Sequence, residues 1–144
     1  MKEEHTIKLL KECDSGAKMG VDSFELVLKY IKNEELRNII NETRLDHLDT
    51  LTKIKEQLNI YSSEGKDPNM IISEMSKIKM KLELSFNDSD SKIAKLMIDG
   101  CNMGIKALSE FKNKYYDADQ KVIEICQRLI TKEENLAKNL RRFL

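Results

Sequence analysis

The chain has 144 residues, of which 35% are charged and 6% aromatic, and its 25 acidic residues balance 25 basic ones. This length suits a single domain with a core of its own. A net charge of zero gives no field that would attract nucleic acid or an anionic membrane. No apolar run reaches the roughly 20 residues that cross a bilayer, so we expect neither kind of partner.

Two further cues concern the compartment. The first ten residues, MKEEHTIKLL, are too highly charged to resemble a signal peptide. Cys13, Cys101 and Cys126 are odd in number and have no framework spacing, which is typical of reduced thiols. We therefore expect a cytoplasmic protein.

The first two predicted helices form a hairpin. Apolar residues recur at helical spacing through residues 3–32, and Asp14 interrupts this otherwise apolar stripe. Asn33 precedes two glutamates, the pattern of an N-cap and an acidic first turn, so a second helix is predicted over residues 34–61. Because the connection is so short, the two helices must be antiparallel.

A loop and a shorter helix come next. The sequence SSEGKDPN at residues 62–69 is the clearest loop of the chain. Within it, Asp67 followed by Pro68 has the form of an N-cap and a first helical residue. The apolar residues that follow predict an amphipathic crossover helix over residues 68–86.

The last two predicted helices make a second hairpin. They cover residues 91–115 and 118–143, and Asp117 with Gln120 has the spacing of a capping box before the second of them. About thirty residues join the two hairpins, enough to cross the whole bundle. The helix at 91–115 can then run parallel to the helix at 34–61, which is the ferritin-like topology of a four-helix bundle.

Four of the five glycines lie inside predicted helices, in two similar motifs. CDSGAKMGV contains Gly16 and Gly20, and IDGCNMGI contains Gly100 and Gly104, each pair one helical turn apart. A glycine inside a helix costs up to about 1 kcal/mol relative to alanine, so four of them need a compensating gain. We interpret the motifs as equivalent points of two pseudo-symmetric hairpins. Glycine there lets the first and third of the four long helices approach closely at the centre of the bundle, or leaves room for side chains or a ligand.

The chain resembles the bacterial ferritin-like bundles of the type called domain of unknown function 2383, from about Thr6 to Leu144. The resemblance rests on the segment CDSGAKMG, the helix start Asn33-Glu34-Glu35-Leu36, the segment Arg44-x-x-His47 and the pair Asp99-Gly100. It implies a ferritin-like fold and no established activity. In that family an acidic residue often follows the first glycine of each motif, whereas this chain has Ala17 and Cys101.

The ferritin-like resemblance raises the question of a di-iron centre. Such centres use glutamates and Glu-x-x-His pairs, because residues three apart share one face of a helix. His5 and His47 are the histidines of the chain, and neither has a glutamate three residues before it. The chain also lacks Gly-x-Ser-x-Gly and phosphate-loop motifs. We therefore expect no standard di-iron centre and no cofactor, and no enzymatic activity is indicated.

Three polar residues on the apolar stripes, His47, Cys101 and Glu133, are expected to meet near the middle of the bundle. They could ligate one zinc or similar divalent ion. Alternatively, His47 could hydrogen-bond to Glu133, with Cys101 as a small core residue, or His47 could lie at the solvent boundary. Asp14 is expected near one end of the core, bonded to a lysine or hydroxyl of a neighbouring helix.

These patterns favour a non-enzymatic structural or protein-interaction module, which either self-associates or binds another protein. The alternative is a degenerate ferritin-like metal or redox protein whose site is formed by His47, Cys101 and Glu133.

Overall fold

The computed structural model describes residues 2–66 and 89–144, and in these ranges the chain is all-α. Its elements are α1 (Lys2–Leu28), α2 (Glu34–Ile60), α3 (Ser89–Lys114), α4 (Gln120–Leu140) and a 3-10 turn at Arg141–Phe143. The four long predicted helices are thus present, with small shifts at their ends. The predicted helix over 68–86, with its start at Asp67 and Pro68, lies outside the described residues. None of the described helices is long and apolar enough to cross a membrane.

Helix α1 ends at Leu28, earlier than the apolar pattern predicted. The amides of Lys29 and Tyr30 donate to carbonyls three residues back, at 3.4 and 2.9 Å, so the chain tightens into a turn. Ile31 follows the turn and is still buried. The apolar stripe therefore outlasts the helix, which explains the overlong prediction.

The start of α2 was predicted correctly. The side chain of Asn33 caps the helix by accepting a hydrogen bond from the amide of Leu36 at 3.0 Å. The carboxylate of Asp90, in the first turn of α3, accepts from the amides of Lys32 and Asn33 at 2.9 and 3.0 Å. This contact holds the α1–α2 turn against the start of α3.

The predicted capping box of Asp117 and Gln120 is wrong. The N-cap of α4 is Asp119, and its backbone amide donates to the hydroxyl of Thr6 at 2.8 Å. Asp117 instead accepts a hydrogen bond from His5 at the start of α1, and this bond lowers the pKa of the Asp117 carboxyl. Asp117 therefore bonds His5, which is distant in sequence, and does not cap α4.

Contacts at the ends of the bundle give the directions of the helices. Tyr61, just after α2, donates its hydroxyl to Asp119 at 3.4 Å, and Thr6 of α1 lies at the same end. Asp90 places the start of α3 beside the start of α2 at the opposite end. Helices α1 and α4 therefore run one way, and α2 and α3 run the other.

Helix α2 ends in a Schellman motif without glycine. The amide of Ser63 donates to the carbonyl of Leu58 at 2.9 Å, and that of Ser62 donates to Asn59 at 3.1 Å. Ser62 has a φ of 51°, in the left-handed region that glycine usually occupies. The chain here adopts a glycine-like backbone with a serine.

The two hairpins, α1–α2 and α3–α4, meet through contacts of α1 with α3 and of α4 with both α1 and α2. Their core has two apolar clusters, one containing Leu10 and Leu129 and the other containing Leu36 and Leu140. His47 in α2 and Glu133 in α4 belong to neither cluster and lie between them along their helices, whereas Cys101 in α3 is a member of the second cluster. A polar layer therefore lies at mid-bundle.

Candidate functional site

His47 and Glu133 form a buried pair in this layer. His47 of α2 is 1% exposed, and its Nε2 lies 2.7 Å from Oε1 of Glu133 on α4. Helical spacing puts each residue on the inward stripe of its own helix, so the two side chains meet where α2 and α4 pack. The imidazole is thus far from the solvent boundary, and it joins one hairpin to the other.

Cys101 of α3 adjoins the same carboxylate. Its side chain is buried. Burial, followed by the nearby charge of Glu133, raises the pKa of the Cys101 thiol above its ordinary value of 9.0, so the thiol keeps its proton. The bond to His47 gives the buried carboxyl group of Glu133 a hydrogen-bond partner, which offsets the cost of its burial.

The other side of the imidazole is apolar. The ring of Phe24 lies edge-on to His47, with centroids 5.3 Å apart and an interplanar angle of 77°. Nδ1 is buried and has no hydrogen-bond partner among the described residues. A single strong bond therefore orients the ring.

Gly20 makes room for this ring. A Cβ at Gly20 would lie 3.0 Å from Cδ2 and 3.4 Å from Nε2 of His47, which is closer than side chains normally pack. At Gly16 a Cβ would make only an ordinary contact of 3.7 Å with Leu108. Gly20 therefore leaves room for a side chain, the imidazole of α2, and this contact is not a close approach of α1 to α3.

The second motif behaves differently. A Cβ at Gly100 or Gly104 would meet no atom of the described residues within 4 Å. Cys101 is the inward-pointing residue here, so Gly100 faces solvent and Met103 is 69% exposed. The predicted close packing of the helices at Gly100 and Gly104 is thus wrong for the described part of the chain.

Asp14 anchors the segment that follows α2. It is buried, its Oδ2 lies 2.6 Å from Nζ of Lys18, and it accepts from the amide of Lys66 at 2.9 Å. The expected lysine is therefore on α1 itself, and the contact beyond α1 is a backbone amide. Gly65 packs so tightly on this carboxylate that a Cβ there would overlap it.

One ion-pair cluster lies beside the polar layer and is marked by no sequence motif. Arg128 of α4 bonds Asp46 at 2.7 Å and Asp49 at 3.3 Å, both on α2. The aspartates are three residues apart on one face of their helix, which is the signal that could have suggested a shared cation. The cluster ties α2 to α4 at their surface.

The arrangement does not fit the metal centre that a ferritin-like fold would suggest. Across residues 2–66 and 89–144, no group of three or more His, Cys, Asp or Glu side chains is placed to hold a metal ion. Ala17 and Cys101 occupy positions that are often acidic in the resembling family, and Glu133 is already hydrogen-bonded to His47.

Solved structures share the fold of this chain, and no sequence match indicates an activity. No protein-family model and no curated protein sequence matches the chain. A conserved hypothetical protein, rv2844, from Mycobacterium tuberculosis superposes with a TM-score of 0.74 at 10% identity over 100% of both chains. A DUF305 fragment from Deinococcus radiodurans gives a TM-score of 0.75 at 10% identity over 96% of this chain and 93% of that one. At such identity the likeness extends to the fold alone.

Proposed function

We propose that the chain is a ferritin-like bundle without a catalytic centre and that it serves as a protein-interaction module. The directions of its helices support this topology, since α1 and α4 oppose α2 and α3. Membership of the domain of unknown function 2383 type belongs to the same proposal. It rests on sequence features such as CDSGAKMG.

The closed polar layer carries the non-catalytic part of the proposal. His47, Cys101 and Glu133 are buried, and His47 is hydrogen-bonded to Glu133, so none of the three is exposed to a substrate. A surface groove of about 350 Å³ between α2 and α4 is lined by residues such as Lys53 and Gln57, and not by these three. The hydrogen bond between His47 and Glu133 links the two hairpins.

The outer face of α2 supplies an interaction surface. Leu45 is 52% exposed, and Leu48, nearly one turn later, is exposed as well. Leu45 stands two residues before the inward-pointing His47, so it points to nearly the opposite side of the helix. Two adjacent exposed leucines on a helix that already buries its inner stripe favour a second packing partner.

A second copy of the chain is the partner that fits this face. Asn41, Leu45, Leu48 and Thr52 are spaced by four, three and four residues, which is the spacing of a coiled-coil seam. Arg44 and Asp49 flank the seam on opposite sides, five residues apart. In a parallel pair of α2 helices, Arg44 would therefore lie against Asp49 of the partner subunit. Only two of the four seam residues, Leu45 and Leu48, are apolar, so we expect the dimer to be weak.

Size-exclusion chromatography with light scattering over a range of concentrations tests this. We expect a dimer fraction that grows with concentration and is abolished in Leu45→Glu. Met103→Glu is the matched control, since it adds the same charge at an exposed apolar position on α3 and should leave the dimer intact. A wild-type protein that stays monomeric up to about 1 mM contradicts the proposal.

A second proposal rests on the hydrogen bond of Glu133 to His47 and on its charge near Cys101. In the described arrangement these three side chains are not placed to hold a metal ion. Binding of one divalent ion such as Zn²⁺ by the imidazole, a thiolate and the carboxylate would therefore require them to move. The ion would have to displace the hydrogen bond of Glu133 and the thiol proton, so its affinity would fall at low pH. Elemental analysis of protein purified without chelators decides it. A full equivalent of metal that is lost in His47→Ala supports the site, and metal-free protein contradicts it.

A further inference from the structure

The surface groove between α2 and α4 contains a buried side-chain amide. The groove has a volume of about 350 Å³, and Gln57 and Ile125 are among the residues that line it. Gln57 is 7% exposed and Ile125 is 8% exposed, whereas most other residues of the groove are exposed. These two side chains therefore form the floor of the groove, one polar and one apolar.

The amide of Gln57 is free to bond a ligand. No residue in the described part of the chain is hydrogen-bonded to this amide, and its atoms are not sealed from solvent, unlike Oδ2 of Asp46 and Nδ1 of His47. The amide therefore reaches the groove through the small exposed part of its residue. It offers one acceptor oxygen and two N–H donors there. Such a nearly buried polar group normally has a partner.

Two carboxylates face each other at one level of the groove. The bond between His47 and Glu133 fixes the register of the antiparallel helices α2 and α4. Counting equal numbers of residues from this bond, forward along α2 and back along α4, leads to Glu56 and Glu124, which both line the groove. Neither has an ion-pair partner within residues 2–66 and 89–144. Their like charges repel, so this level favours a cation.

The next level of the groove is basic. Lys53 of α2 and Arg128 of α4 line it, roughly one helical turn from the two glutamates, which is about 5 Å along the helix axis. Both bond Oδ2 of Asp49, at 3.4 and 3.3 Å. An ammonium has three N–H donors and a guanidinium has five. Each side chain therefore keeps donors for the carboxylate of a ligand.

We propose that this groove binds a small zwitterion, an amino acid whose two charged groups lie at these two levels. The ammonium donates to Glu56 and Glu124. The carboxylate accepts hydrogen bonds from Lys53 and Arg128, and the ligand gives the amide of Gln57 the partner that it lacks. The proposal goes beyond the interaction surface on α2 and does not depend on it.

The distance between the two levels selects the length of the ligand. A separation of about 5 Å suits an ω-amino acid, in which several carbons separate the ammonium from the carboxylate. In an α-amino acid both groups are attached to one carbon and cannot reach both levels equally well. The methylene groups of an ω-amino acid would pack on Ile125 at the floor of the groove.

Titration of isotopically labelled protein with 4-aminobutanoate, followed by NMR, tests the proposal. We expect the side-chain amide signals of Gln57 to shift with a Kd on the order of 1 mM. Butanoate and butylammonium each keep one of the two charges, and glycine is too short, so all three should bind about tenfold more weakly or worse. Unchanged Gln57 signals at about 10 mM 4-aminobutanoate overturn the proposal, as does equally tight binding of butanoate or butylammonium.

A matched pair of variants tests the position of the ligand. Glu124→Gln removes one carboxylate of the acidic level and should weaken binding of 4-aminobutanoate about tenfold. Glu134→Gln is the control, since Glu134 is an exposed glutamate of α4 that does not line the groove. Both residues are exposed, so both variants should fold. Equal affinities of the two variants overturn the proposal.

Discussion

The two glycine motifs have the same spacing, one on α1 and the other on α3, yet their surroundings differ. In both, the residue after the first glycine points inward and is buried, Ala17 in α1 and Cys101 in α3. Gly20 then touches the imidazole of His47, whereas Gly104 has no described atom within 4 Å of where a Cβ would be. An identical spacing of glycines therefore serves close packing in one hairpin and not in the other.

The difference follows from what the opposite helix contributes. Opposite α1, helix α2 contributes the bulky ring of His47, which fills the space left by Gly20. In the other hairpin, the charge of Glu133 acts on the buried thiol of Cys101 and helps to raise its pKa. The polar layer is thus asymmetric, and a single hydrogen bond, between His47 and Glu133, joins its two halves.

Removing this bond should have the largest effect. In His47→Ala, Glu133 loses its hydrogen-bond partner, and a cavity replaces the ring. We expect a loss of about 3–5 kcal/mol in the free energy of unfolding, measured by urea denaturation. Glu133→Gln is the control, since its amide oxygen can still accept from Nε2 and should cost less. A loss below about 1 kcal/mol in His47→Ala would show that the pair does not link the hairpins.

Alanine at Gly20 and at Gly104 tests directly whether the two glycine motifs differ in packing. In Gly20→Ala the new Cβ forces His47 to shift and strains its bond to Glu133, so we expect destabilisation by about 1–3 kcal/mol. In Gly104→Ala the methyl group meets open space, and the better helix propensity should stabilise the protein by about 0.5–1 kcal/mol. Melting temperatures of both variants would show the opposite signs. Equal signs would contradict the asymmetry of the two motifs.

The helices and their main stripes could be predicted because periodic burial and short connections are local properties of the sequence. The same periodicity brought His47, Cys101 and Glu133 to one level, and in the structure Glu133 bonds His47 and its charge acts on Cys101. Levels along a bundle follow from counting residues from a turn. The side of the helix that faces a given neighbour does not, which is why Gly104 was expected to be packed.

Details that depend on distant partners could not be predicted. Asp117 has the spacing of a cap, but it bonds His5, which lies at the other end of the sequence. Such contacts need the arrangement of all four helices, and a single sequence contains no direct record of it.

The raised pKa of Cys101 adds a pH dependence to the polar layer. The folded protein keeps this thiol protonated, whereas in the unfolded chain it ionises above its ordinary value of 9.0. The unfolded state then binds fewer protons, so this contribution to stability is complete below pH 9 and is lost as the pH rises further. Between pH 9 and 10 we expect Cys101→Ala to lose about 1 kcal/mol less than the wild type. Parallel losses in the two proteins would contradict the burial of a neutral thiol.

Glycine in place of Ser62, just after the end of α2, should have the smallest effect on stability. At Gly104 a Cβ would meet no described atom within 4 Å, while Ser62 adopts a left-handed backbone with a φ of 51°. A Cβ in that region is strained, so Ser62→Gly should stabilise the protein by about 0.5–1 kcal/mol. Ser63→Gly is the matched control, because Ser63 has no positive φ. Glycine there relieves no strain and only raises the entropy of the unfolded chain, so it should lower stability. If thermal unfolding shows Ser62→Gly to be the less stable variant, the serine hydroxyl stabilises the end of α2 by more than the backbone strain costs.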